Sequence, residues 1–83
     1  MSDQTRRRLA HDLDATLRVG KAGIDAVSSE LMTQLDRQEM VKVKFLRSAR
    51  GVEETETLAT ELAERVGASV FQVRGHTAVF TAG

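Results

Sequence analysis

Gly20-Lys21-Ala22-Gly23 is the stretch with the clearest capacity for chemistry. Two glycines bracket a lysine and an alanine where a short apolar run (Ala15 to Val19) gives way to a helical pattern (Asp25 to Arg37). A strand that hands over to a helix leaves main-chain N–H groups without partners, and the helix dipole adds partial positive charge at the same place. A phosphate docks in such a setting. Glycines lack the Cβ that would hold the main chain away from it, and Lys21 adds a point charge. The plainer alternative is that Gly20 and Gly23 only supply unusual dihedrals for a tight connection. GxxG alone does not decide between the two, although the KH domain clamps a nucleic-acid backbone with such a loop.

Other cations lie near the loop in sequence or share its chemistry. Arg18 leads into it. Lys42 and Lys44 alternate with Val41, Val43 and Phe45, so they share the polar face of a strand. They offer either a phosphate track or a guarded, solvated sheet face. Arg47 and Arg74 are further candidate contacts, as is His76 in a turn. Arg6, Arg7 and Arg8 stand near the start of a helix, where cations oppose the dipole. They are either a phosphate-contacting arm or a solvated terminus. The three aromatics, Phe45, Phe71 and Phe80, fall in strand patterns and read as core, which disfavours a platform that stacks bases.

No P-loop, nucleophile elbow or paired-carboxylate motif is present, and His11 and His76 have no metal-ligand company in sequence. Neither an enzyme, a metal nor a cofactor is expected. The absence of cysteine excludes a disulfide framework and suits a reducing cytoplasm. No apolar run reaches the roughly 18 residues of a membrane span.

The chain has 83 residues, 12 Lys/Arg and 12 Asp/Glu, so its formal charge is zero. The distribution is uneven. Residues 1–50 hold ten Lys/Arg and seven Asp/Glu, and residues 51–83 hold two and five, so +3 cancels −3. A neutral protein can therefore carry a basic face.

The elements that would position these groups are legible as patterns. Residues 3–14 read as a helix with Leu9, Ala10 and Leu13 on one side and Asp3 or Thr5 as cap. Ala15 to Val19 is a short strand. Asp25 is the expected cap of the next helix, with Ile24 as a staple before it and Val27, Leu31 and Leu35 on its inner face. Met40 to Leu46 alternates as a strand. Arg47 to Gly51 reads as a turn, and a third helix runs from about Val52 to Val66. Its stripe is Leu58, Ala59, Leu62, Ala63 and Val66. Glu53, Glu54 and Glu56 suit its start, and Gly67 its end. Ser69 to Arg74 and Thr77 to Thr81 form a hairpin around Gly75-His76. The expected fold is a single α/β domain of α+β type spanning residues 1–83, in αβαβαββ order, with a mixed sheet and helices packed on it.

Three segments together resemble a known family. They are Arg7 to Leu13 (RRLAHDL), Val19 to Ile24 (VGKAGI) and Val73 to Phe80 (VRGHTAVF), supported by Glu39 to Lys44 and Val66-Gly67-Ala68. The chain is similar over residues 6–81 to the CRM domain, whose stand-alone form is the YhbY-like family. The resemblance implies a helix-backed, four-stranded mixed sheet like the C-terminal domain of translation initiation factor three. It implies RNA binding with the loop set Gly20, Lys21, Ala22 and Gly23 at the contact surface. Stand-alone members resemble factors of the immature large ribosomal subunit, and multi-copy plant relatives assist group II intron splicing. Asp14-Ala15 departs from the family, where many relatives carry a basic residue and a proline.

The expected function is non-enzymatic RNA binding during large-subunit assembly, by a cytoplasmic monomer. A module docking on a ribosomal protein or translation factor is the alternative that the neutral charge favours. An enzyme acting on a nucleotide is a third reading that no residue set supports.

Overall fold

A computed structural model describes residues 3–50 and 54–83. In chain order its elements are α1 (Asp3–Asp12), β1 (Ala15–Val19), α2 (Asp25–Arg37), β2 (Met40–Phe45), α3 (Arg47–Arg50), α4 (Thr55–Val66), β3 (Ala68–Arg74) and β4 (Thr77–Ala82). The strands form one four-stranded sheet in the order β1-β2-β4-β3. β1 and β2 are parallel, and β4 is antiparallel to both β2 and β3.

The alternation in β2 does what its period requires. Val41, Val43 and Phe45 are buried on one face, while Lys44 is exposed on the other and Lys42 is half-buried. Val41 pairs with Phe80 and Val43 with Ala78, so the apolar face continues across β4. Onto this face pack Ile24, Val27 and Leu31 at the start and middle of α2, and Leu58, Ala59, Leu62 and Ala63 of α4. Val66 and Leu35 close the edge of that core. Each large side chain buried there contributes roughly 1.5–3 kcal/mol. The opposite face is only partly covered. Ala10 and Leu13 of the α1 region meet Met40, Val79 and Phe71 at one end of it. Phe71 stands at an irregularity between Val70 and Gln72, which turns it away from the main core.

Several boundaries differ from the sequence patterns, for local reasons. α1 ends at Asp12 rather than residue 14, and Leu9 is exposed beside the buried Ala10. Arg47–Arg50 is a helical turn, not an open one, begun by the Ala49 amide donating to the Leu46 carbonyl at 3.0 Å. α4 starts at Thr55 with an extended Glu54 as cap residue; Val52 and Glu53 lie outside the described residues. Gly67 ends α4 with φ +69°, a conformation that glycine adopts freely. The β3–β4 hairpin turns on Gly75 at φ +59°, and His76 has no positive φ. Glycine at the first turn position is what a two-residue loop of the II′ kind calls for.

Candidate nucleic-acid interface

Strand order gathers what the sequence keeps apart. Because β1 and β2 are parallel and β4 runs against both β2 and β3, the carboxyl ends of β1, β2 and β3 leave the sheet along one edge. The loop 20–23, the start of α3 and the Gly75-His76 hairpin therefore stand side by side. Main-chain bonds stitch them together. The Leu46 amide donates to the Val19 carbonyl at 2.9 Å, and the Phe45 amide to the His76 carbonyl at 2.7 Å.

The loop itself is a closed turn. The Gly23 amide donates to the Gly20 carbonyl at 2.9 Å. Ala22 has no positive φ, which excludes a type II turn, and Gly occupies the fourth position that type I turns favour. Lys21 and Ala22 form the tip and are exposed. Their amides donate to no main-chain oxygen among the described residues.

The entry to α2 corrects the expected cap. Ile24, not Asp25, occupies the cap position, with φ −66° and ψ −27°, and no side chain caps the helix. Ile24 is buried in the core rather than stapling from outside. The first turn is tight, with Ala26 donating to Gly23 at 3.3 Å and Val27 to Ile24 at 3.2 Å. Asp25 lies one residue inside the helix, where its carboxylate pairs with the Arg65 guanidinium of α4. A cap aspartate would place its own oxygen over the first amides. Here the Ala26 and Val27 amides are instead taken by main-chain carbonyls, and the Asp25 carboxylate is matched by a cation.

The two glycines have different reasons to be glycine. Gly23 sits at φ +83°, and a Cβ there would meet nothing within 4 Å. Gly20 has no such constraint; its Cβ would touch Leu46 Cδ1 at 3.7 Å and Ser48 Oγ at 3.8 Å, ordinary contacts. Gly20→Ala should therefore change stability by less than about 0.5 kcal/mol. Gly23→Ala should cost about 1–2 kcal/mol, because an L-residue is strained in the left-handed region. Denaturant melts of the two variants check the contrast, and equal losses would contradict it.

The other sequence candidates divide by place. Arg18, Lys44 and Arg74 share one sheet face along the loop edge, since Arg18 pairs with Lys44, Lys44 with Thr77, and Thr77 with Arg74. All three cations are exposed. Lys42 is on the same face one row further in, opposite Val79. Arg47 is exposed at the start of α3, and His76 is exposed in the hairpin. Arg6 is held by Glu39 at 3.1 Å, at the Met40 end of β2 and away from the loop edge. Arg7 and Arg8 are exposed on the same helix. His11 is beside Asp12, at 3.6 Å, and no three metal-ligating side chains converge among the described residues. Thr77 and Ser48 belong to the loop edge too. No local pattern marks them, since only strand pairing and the fold of α3 bring them there.

A four-stranded mixed sheet with helices packed on it, a hydrogen-bonded glycine turn and a row of exposed cations along one edge defines a class of small α+β domain. The chain belongs to the CRS1/YhbY (CRM) domain family, whose model matches residues 2–80. It is 36% identical over 70 residues to the probable RNA-binding protein MJ0652 of Methanocaldococcus jannaschii, a match covering 84% of this chain and 52% of that protein. The chain thus spans about half the length of that curated relative. Its fold is similar to the solution structure of the hypothetical protein SAV1595 of Staphylococcus aureus, a candidate RNA-binding protein. The TM-score is 0.77 at 27% identity, covering 96% of this chain and 82% of that one.

Proposed function

We propose that this chain is a non-enzymatic RNA-binding protein that acts on structured ribosomal RNA during assembly of the large subunit. The Gly20–Gly23 turn and the start of α2 take the phosphate backbone. Arg18, Lys42, Lys44, Arg47, Arg74 and His76 make flanking contacts. In this reading the protein works as a monomer in the cytoplasm and needs no cofactor.

The observation that carries the reading is the exposed Lys21-Ala22 tip, whose amides have no main-chain acceptor among the described residues. Main-chain amides without acceptors, close to a helix start, favour an anion. Family membership and the names of the two relatives support RNA as the source of that anion. A zero net charge does not oppose it, because the exposed acids Glu54, Glu56 and Glu61 cluster on α4. That acidic face favours a second reading, in which the domain docks on a basic protein.

Salt separates the two. If roughly four phosphates are neutralised, log K for a single-stranded RNA should fall against log salt with a slope near −3. Filter binding of ribosomal-RNA fragments at 50–300 mM salt reads it. A flat salt response, together with retention on a basic ribosomal protein without RNA, would favour the second reading.

A further inference from the structure

The sheet face next to the loop carries an order of groups that phosphate capture alone does not explain. Across four strands, one row reads Arg18 on β1, Lys44 on β2, Thr77 on β4 and Arg74 on β3. Residues paired across strands point to the same face, and strands lie about 4.8 Å apart, so the row spans roughly 14 Å at right angles to the strands. No described helix covers it. The α1 region packs around Met40, Val79 and Phe71 at the other end of that face, and Ala49 of α3 packs on the opposite core. Three exposed cations without ion-pair partners among the described residues stand along this row, and they are not interchangeable with its fourth member.

Thr77 is chemically distinct. Its Oγ1 donates to the Arg74 carbonyl at 2.8 Å, so its hydrogen is spent and only lone pairs remain. A phosphate has no proton to give at neutral pH and gains nothing from it. A ribose hydroxyl does have one. The order along the row is thus cation, cation, acceptor, cation, which matches phosphates interrupted by a sugar that carries a donor.

We propose that a single-stranded stretch of RNA crosses the sheet along this row, with Arg18, Lys44 and Arg74 on its phosphates and Thr77 accepting from a ribose 2′-hydroxyl. This rests on the RNA-binding reading above and adds to it a path, a strand state and a residue that prefers RNA to DNA. The 2′-hydroxyl is the group by which a protein tells the two apart. Lys21 and the loop lie at one flank of the path and anchor it.

The test uses the full chain, a single-stranded RNA oligonucleotide and DNA of the same sequence. The wild type should bind RNA at least about threefold more tightly. T77V, which keeps the shape and strand preference of threonine, should bring the ratio close to one without altering the salt slope, and T77S should restore it. The triple change R18Q/K44Q/R74Q should reduce the salt slope by about 2, from three contacts at about 0.7 each. Circular dichroism melts confirm that each variant is folded. Equal affinity of the wild type for RNA and DNA, an unchanged ratio in T77V, or an unchanged slope in the triple variant overturns the proposal. So does binding to duplex RNA alone. A variant at Lys21 and Ala22 keeps the two ideas apart. If it loses binding while the triple variant keeps its slope, the loop stands and the path fails. If it binds normally while the triple variant weakens, the loop reading fails and the path stands.

Discussion

Changing Lys21 to Glu and Ala22 to Asp together lowers RNA affinity by at least ~30-fold while the protein stays folded. The net change at the tip is −3 charges, placed where a phosphate would have to sit. Like charges at contact distance in a partly screened surface cost on the order of 1 kcal/mol each or more. A loss of about 2–3 kcal/mol follows, equivalent to roughly 30- to 150-fold. Stability should not follow affinity down. Both residues are exposed, and neither side chain makes a hydrogen bond or ion pair among the described residues. Aspartate suits turns, and acids near a helix start are stabilised by the dipole. The melting temperature should therefore move by no more than a few degrees. Fluorescence anisotropy beside a thermal melt reads both quantities. Affinity within threefold of wild type in a folded variant would show that RNA does not meet the loop.

The second large effect lies in the core and works the other way. Phe80→Ala should destabilise the domain by about 3–5 kcal/mol. Phe80 is fully buried on the inner strand β4, paired with Val41 of β2 and Val70 of β3, so the cavity opens where three strands meet. Domains of this size hold only about 5–10 kcal/mol in total. The melting temperature should fall by at least about 12 °C, at roughly 4–8 °C per kcal/mol. RNA affinity measured well below the new midpoint should stay close to wild type, since no contact residue has changed. A shift under about 5 °C would mean that the sheet does not depend on β4 in the way its burial implies.

Much of this architecture is written in local patterns. Met40 to Phe45 alternates so regularly that its inner and outer faces can be assigned residue by residue. The stripe from Leu58 to Val66 has one period and one inner side. Gly67 and Gly75 mark their turns because each conformation has positive φ. Gly23 marks the loop in the same way, at φ +83°, whereas Gly20 does not. What stayed hidden depends on which strands meet. Nothing in residues 77–82 says that β4 inserts between β2 and β3, yet that choice puts the hairpin beside the loop and aligns Arg18, Lys44 and Arg74. Thr77 looks like any strand threonine until its partners are known. Asp25 reads as a cap because caps are acidic or hydroxylic. Its actual partner, Arg65, is 40 residues away and is invisible to a local rule. Leu9 fits the helical stripe of α1 but is exposed, lining a surface cleft with Leu13 and Met40 while Ala10 takes the buried place beside Met40 and Val79.

The central claim is that bare main-chain amides at the 20–23 turn hold the RNA backbone, and amide NMR tests it most directly. On titrating uniformly 15N-labelled protein with a ribosomal-RNA fragment, the Lys21 and Ala22 N–H resonances should shift most, followed by those of Gly23 and Ile24. Perturbations centred on the acidic face of α4, with Lys21 and Ala22 unmoved at saturation, would contradict it.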